Sequence, residues 1–246
     1  MSHGVTKINK ISLSILLSIF LISFTGLTLQ VTLTRIFSTT IWYHYTFMAI
    51  SVALFGWGFG GIILHFLNRK LDTKRLDFAL ITIFALSLSM PVYLLTIIQF
   101  QFSQNYINLY YVISLIPFFL AGMCIAFFYS VYAGSANKLY LADLAGASFA
   151  GLAVEPILSV FGAESTILLL GVISAFAGIF LATLIGRRRV IVIGFIFLIV
   201  ASGFFTVNIQ SGFINVAYAP DKAMFKLLQS RPELHIGFTK WNSFSR

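Results

Sequence analysis

The chain contains seven apolar stretches, at 11–32, 43–67, 76–98, 107–133, 141–161, 165–185 and 190–209. Each is about the ~20 residues that a helix needs to cross the hydrocarbon of a bilayer. In that solvent a backbone N–H or C=O finds no water, so each stretch is expected to satisfy its own peptide groups as a helix. The strict alternation that marks the strands of a membrane barrel is absent. The expected fold is therefore all-α, a polytopic transmembrane helical bundle of about seven spans over residues 1–209, followed by a short polar C-terminal tail, 210–246. Composition excludes a soluble alternative. The 246 residues are 59% hydrophobic and only 9% charged, against about 25% charged in soluble domains. The lipid bilayer is thus the first partner the sequence requires.

Sixteen Lys and Arg against seven Asp and Glu give a net charge of +9. In a soluble domain such an excess would suggest nucleic acid. Here the basic residues gather between apolar stretches, so topology explains them and no nucleic-acid partner is expected. Lys7, Lys10, Arg69, Lys70, Lys74, Arg75, Lys138, Arg187, Arg188 and Arg189 share one side if the spans alternate, and the opposite loops hold only Arg35. The excess of Lys and Arg on cytoplasmic loops places the N-terminus in the cytoplasm of a multi-pass cell-membrane protein. Seven spans then put the tail outside with Lys222, Lys226, Arg231, Lys240 and Arg246; otherwise one stretch, the seventh being the weakest, is re-entrant. The tail reads as a short soluble segment that begins an amphipathic helix near Asp221. The first stretch is of span length and lacks a small-residue cleavage site, so it reads as a retained span rather than a signal peptide. The single cysteine, Cys124, excludes an internal disulfide.

Two stretches carry small residues at helical spacing. Gly56 and Gly60 form a GxxxG pair in the second, and Ala142, Gly146 and Ala150 repeat the design in the fifth. Small residues four apart let membrane helices approach closely. Spans two and five are therefore expected to pack together through Gly56, Gly60, Gly146 and Ala150. The alternative is a slot for a lipid or cofactor against exposed backbone.

Charges at membrane depth are costly, so each needs a partner or a task. The candidate intramembrane polar cluster is Arg35, Asp143 and Glu155, with Arg35 expected to pair with Asp143 or Glu155. Asp143 stands near the head of the fifth stretch, where capping the helix dipole is a sufficient role. Glu155 precedes Pro156, which frees a carbonyl and favours a bend; a structural pair and a polar-ligand or proton site both remain open for it. Glu164 is expected at a solvated interface. His44 lies in Trp42-Tyr43-His44-Tyr45, an aromatic run typical of a membrane interface. His65 is about 31 Å away along the same helix and cannot share a metal with it. With His3 and His235 in the termini and no HxH, CxxC or HExxH pattern, no metal or cofactor is expected. The Gly-rich run 56–61 lies within a span and follows no strand, so it is no dinucleotide loop. No catalytic constellation is present.

Leu29-Gln30-Val31-Thr32-Leu33-Thr34-Arg35-Ile36-Phe37-Ser38, continuing through Trp42-Tyr43-His44-Tyr45 to Ala49-Ile50-Ser51-Val52-Ala53-Leu54-Phe55-Gly56, resembles the first membrane signature of spermidine synthase-like integral membrane proteins. In that family a Glu usually stands where this chain has Gln30. Leu139-Tyr140-Leu141-Ala142-Asp143-Leu144-Ala145-Gly146-Ala147 resembles the second signature. Lys240-Trp241-Asn242-Ser243-Phe244-Ser245-Arg246 looks like the segment that opens the family's soluble domain, a Rossmann-like aminopropyltransferase unit. The nucleotide-binding glycine loop and polyamine-binding carboxylates of that unit are not in this sequence.

The resemblance implies a membrane domain without the catalytic unit. The expected function is that of a membrane anchor or accessory subunit of a larger membrane complex, with other membrane subunits as partners and no enzyme activity of its own. The alternatives are the N-terminal part of a membrane-bound aminopropyltransferase, and a small-solute transporter.

Overall fold

The structure, a computed structural model, describes residues 11–40, 46–70, 76–100, 106–186, 188–214 and 230. Its helices are α1 (Leu13–Thr40), α2 (Thr46–Lys70), α3 (Leu76–Phe100), α4 (Ile107–Val131), α5 (Ala136–Ile185) and α6 (Arg188–Ser211). A single 3-10 turn, Ala133–Ser135, joins α4 to α5, and there is no strand among the described residues. All six helices are long and apolar enough to cross a membrane. The protein is an all-α, multi-pass membrane bundle.

Helix α5 has 50 residues, which would reach about 75 Å if straight, against a hydrocarbon core of about 30 Å. It does not run straight. At Gly162 the backbone takes φ 78° and ψ 168°, a conformation essentially restricted to glycine. Packing on α1 shows how far the chain turns there. Gly146 lies against the Phe20 carbonyl, while Ser18 Oγ donates to the Ala177 carbonyl at 2.9 Å. A straight helix would hold residues 146 and 177 about 46 Å apart. Instead they meet neighbouring residues of α1, so α5 is a V of two legs, 136–161 and 163–185, with its apex at Gly162. Thr166 Oγ1 donates to the Gly162 carbonyl at 2.6 Å, which ties the second leg to the apex. The apolar stretches expected as spans five and six are thus the legs of one element, and six helices supply seven rods.

Contacts fix the directions of the rods. Helix α3 is antiparallel to α4 through Tyr93 and Ser114 and through Phe78 and Phe127. Helix α4 runs parallel to α2, with Gly56 on Phe118 and Gly60 on Met123. The second leg of α5 is antiparallel to α3 through Ser87 and Gly171 and through Phe84 and Gly178. It is antiparallel to α6 through Ser165 and Asn208 and through Ile179 and Gly194. The rods therefore alternate. One end of the bundle gathers the end of α2, the α4–α5 turn with exposed Lys138, and the start of α6 with exposed Arg188 and Arg189. The other end gathers the end of α1, the start of α2, the Gly162 apex and the end of α6.

Helix α1 is the central rod. Ile15, Ile19, Ile22, Leu29, Leu33, Ile36 and Phe37 are buried, and its most extensive packing is against α5. Helices α2 and α6 lie at the edge and turn Phe47, Leu54, Phe55 and Ile62, and Phe195, Ile196 and Ile199, outward.

The expected pairing of spans two and five is not formed; each small-residue face meets a different helix. A Cβ on Gly56 would stand 2.6 Å from Phe118 Cβ, and one on Gly60 would stand 2.5 Å from Met123 N, both in α4. Gly122 of α4 answers them, since a Cβ there would lie 2.5 Å from the Trp57 carbonyl oxygen. Gly146 faces α1, and Ala150 on the same side of the leg is buried. The physical reason is tertiary placement. Each glycine face is closed by the helix that the fold lays alongside it, Gly122 and its neighbours of α4 on Gly56 and Gly60, and the Phe20 backbone of α1 on Gly146.

Gly60→Leu is expected to destabilise the bundle by about 1–3 kcal/mol or more, because it forces side-chain volume into backbone of α4. Gly58→Leu is the control, since nothing lies within 4 Å of a Cβ at that position. Cys124 is fully buried, so a thiol-reactive dye reads unfolding directly. The expected result is a lower midpoint for Gly60→Leu and a near-native midpoint for Gly58→Leu.

Candidate functional site

The three charged residues of the expected cluster form no ion pair with one another. Asp143 is half-buried in the first leg of α5 and accepts a hydrogen bond from Ser23 Oγ of α1 at 2.5 Å. It acts electrostatically on Tyr129 of α4. Arg35 stands 12 residues beyond Ser23 in the sequence, about 18 Å further along α1. Glu155 is exposed on the first leg. The expected ion pair between Arg35 and Asp143 or Glu155 is therefore not present. A nearby hydroxyl satisfies Asp143, and the helical rise separates it from the arginine.

Two further expectations change. Helix α5 begins at Ala136, so Asp143 sits about two turns inside rather than in the first turn, and it does not cap the dipole. Glu164, expected at a solvated interface, is 6% exposed. It lies in the first turn of the second leg, where the positive end of a helix dipole favours a carboxylate.

Beside Arg35 the structure places threonines that the sequence reading did not single out. Ser18, Thr25, Thr28, Thr32 and Thr39 of α1 are buried. Thr25, Thr28, Thr32, Arg35 and Thr39 are spaced at intervals of three and four, which places them on one helical face. Thr32 Oγ1 donates to the Thr28 carbonyl at 2.7 Å, and Thr39 Oγ1 donates to the Arg35 and Ile36 carbonyls at 3.1 and 2.9 Å. Three side chains of this face are left over. Thr25 Oγ1, Thr28 Oγ1 and Arg35 Nε are buried without a hydrogen-bond partner. An unsatisfied buried polar group costs about 1–3 kcal/mol, and more when charged.

The orientation of the face follows from its neighbours. Ser18 reaches the second leg of α5 through Ala177, and Phe24 reaches the first leg through Phe149. Six residues at 3.6 per turn put Ser18 and Phe24 about 120° apart on the wheel. Thr25, Thr32, Thr39, Thr28 and Arg35 fall in that order within the sector between them. The polar face therefore looks into the V of α5, and Arg35 lies toward the apex end. Gln30, five residues before Arg35, is half-buried and outside this sector.

A second polar contact organises the same end of the bundle. Asn208 Nδ2 donates to Ser165 Oγ at 2.9 Å, and Asn208 Oδ1 accepts from the Ile214 amide at 2.7 Å. Gly212, with φ 58°, ends α6 by donating its amide to the Asn208 carbonyl at 2.9 Å. Asn208 thus ties the exit of α6 to the start of the second leg. Beside it lies an open apolar cavity of about 390 Å³, lined by Val200, Phe204, Val207, Phe213 and Ile214.

Among the described residues no group of three or more His, Cys, Asp or Glu side chains is placed to hold a metal ion. His65 is exposed and its ring meets the Phe66 ring edge-on. The aromatic run with His44, the basic residues of the N-terminus, the tail from 215 apart from Ser230, and the terminal motif 240–246 lie outside the described residues.

Ser23→Ala removes the hydroxyl that Asp143 uses and is expected to cost about 1–3 kcal/mol. A cycle of Ser23→Ala and Asp143→Asn, followed by denaturation in mixed micelles, is expected to give a coupling of about 1 kcal/mol or more. Strict additivity would show that the two side chains do not act on each other.

No family model, no curated protein and no solved structure matches this chain.

Proposed function

We propose that the chain is the non-catalytic membrane domain of a spermidine synthase-like protein, and that it serves as an anchor or accessory subunit within a larger membrane complex. The resemblance at 29–56 and 139–147 supports the family. The two signatures map to α1 with the start of α2, and to the first leg of α5. The observation that carries the working role is the outer face of α6. Along the whole helix only Gly194, Ala201 and Asn208 are buried, while Val192, Phe195, Ile196, Ile199, Phe204 and Val207 turn outward. A helix held by so narrow a strip offers a long aliphatic and aromatic surface to another transmembrane helix, where van der Waals packing drives association. The excess of basic residues at the end that holds Lys138, Arg188 and Arg189 supports a cytoplasmic placement of that end and of the N-terminus, in the cell membrane.

Native mass spectrometry of the protein, gently extracted from its own membranes, tests this reading. The expected result is a larger assembly that releases a subunit near 27.4 kDa. Ile199→Trp is expected to lose the partners while keeping the unfolding midpoint. A lone chain in the wild type, or an unchanged assembly in Ile199→Trp, would count against the docking role of α6. Release of a much heavier polypeptide bearing this sequence would favour the reading as part of an aminopropyltransferase.

A further inference from the structure

We propose that the outward face of the first leg of α5, at Leu152, Glu155 and Pro156, docks a transmembrane helix of a partner chain through a lysine or arginine set at the depth of Glu155. This contact rests on the reading above only insofar as the chain has membrane partners, and it lies on a different helix from α6.

The first observation is an open charge. Ala142, Gly146, Ala150, Val154 and Leu158 hold the leg in the bundle, while Ser148, Gly151, Leu152, Glu155 and Pro156 are turned out of it and exposed. Glu155 makes no hydrogen bond or ion pair with any described residue. Arg35 does not pair with it, and Lys138 stands 17 residues back on the same leg, about 25 Å away. Arg188 and Arg189 are at the other end of the bundle.

The second is depth. Glu155 is seven residues short of Gly162, about 10 Å below the apex, and Val160 and Phe161 stand exposed between the two. The bond between Ser165 and Asn208 marks a level three residues past the apex, so Glu155 lies about 6 Å deeper than that contact. Val207, Ile209 and Phe213 of α6, at or beyond the same contact, are turned outward. Leu152 below Glu155 is 78% exposed. Apolar side chains therefore face the membrane on both sides of the carboxylate. Glutamate lacks the long stem with which lysine and arginine reach the polar layer. A charge at this depth needs a partner.

The third is the kind of partner. The exposed face offers acceptors. Pro156 has no amide to give the Leu152 carbonyl one turn below it, and Ser159 Oγ is spent on the Pro156 carbonyl at 3.0 Å. A carboxylate beside such a carbonyl calls for a positive group with several N–H donors, which a lysine or arginine supplies. The amine of a lipid headgroup belongs to the layer beyond Val160 and Phe161, whereas a helix carries its cation to a fixed depth. A second copy is poorly equipped, because its Arg35 is half-buried with Nε sealed in its own bundle. Small Ser148 and Gly151 lie on the same outward side, and nothing stands within 4 Å of a Cβ built on Gly151, so a partner backbone has room to come close.

The test places a photoreactive side chain at Leu152 of the full chain in its own membranes and sequences the cross-linked peptide. The expected result is one adduct, on an apolar stretch of about 20 residues that carries a lysine or arginine. Glu155→Gln is expected to lower its yield about tenfold or more, as loss of one member of a desolvated charge pair does. Glu155→Lys is expected to abolish it, and changing the partner's basic residue to Glu is expected to restore it. Glu155 touches no described residue, so Glu155→Gln is expected to keep the unfolding midpoint read at Cys124, and a lost adduct is then not a lost fold. Adducts with lipid alone, with a second copy, or with a helix that has no basic residue overturn the proposal, as does a yield that Glu155→Gln leaves unchanged. A second photoreactive position at Ile199 separates the two readings. An adduct there with none at Leu152 leaves the docking of α6 standing and overturns this contact; none at either overturns both.

Discussion

A helix that turns back within one residue needs a backbone conformation that no side-chain-bearing residue adopts cheaply, and the bundle depends on that turn at Gly162. Its φ of 78° with ψ of 168° lies where a Cβ would clash. Because the turn consumes a single residue, the two legs leave the apex close together and diverge only with depth. That divergence makes room for α1, which touches the first leg through Phe20 and Phe24 and the second through Ser18. A longer connection would have let the legs separate at the top and pack independently. The tight apex instead makes α5 a clasp around the central helix, with α3 and α6 laid along the second leg.

The remaining rods are held by close approach. In lipid, burying one more leucine gains little, because lipid tails are as apolar as the protein. Contacts must then come from surfaces that let backbones or large rings come near. The α2–α4 contact uses glycine on both sides, Gly56 and Gly60 against Gly122. Elsewhere an aromatic ring lies on a glycine, as Trp57 does on Gly26 and Phe84 on Gly178. Short hydroxyl bonds to backbone add to this, such as Ser87 Oγ to the Gly171 carbonyl at 2.7 Å. The outward faces of α2 and α6 have neither device, and they are the surfaces left to lipid and to other chains.

Hydropathy made the rods legible, down to both legs of α5, because each rod must carry its own apolar length. The turn between the legs was less so. Gly162 looked like one glycine among many, and its positive φ follows from the tertiary clasp rather than from local sequence. The glycine pairs at Gly56, Gly60 and Gly146 were visible as close-packing faces, but their partners were not, since spacing says nothing about which helix comes near. The ion pair expected of Arg35 rested on the cost of a lone charge in lipid, which is sound. It ignored the rise along α1, which sets Arg35 and the Asp143 contact at Ser23 well apart. The threonine face was readable in principle from the spacing of Thr25, Thr28, Thr32 and Thr39. Hydroxyls in a membrane helix usually bond to their own backbone, however, so the pattern carried no signal until Thr25 and Thr28 were found without partners.

Asp143 and Arg35 show two outcomes of one constraint. Both carry charge into the bundle. The carboxylate accepts a hydrogen bond from the Ser23 hydroxyl across a helix contact that already exists, so its satisfaction follows from packing. The guanidinium has a donor-only surface, the hydroxyls nearest it along α1, those of Thr32, Thr34, Ser38 and Thr39, donate to backbone, and Thr25 and Thr28 further down the helix stand open. A threonine hydroxyl can accept as well as donate, but Thr25 and Thr28 stand about 15 and 10 Å from Arg35 along the helix. If the only demand on α1 were to sit between the legs of α5, valine and leucine at these positions would fill the same sector without the penalty.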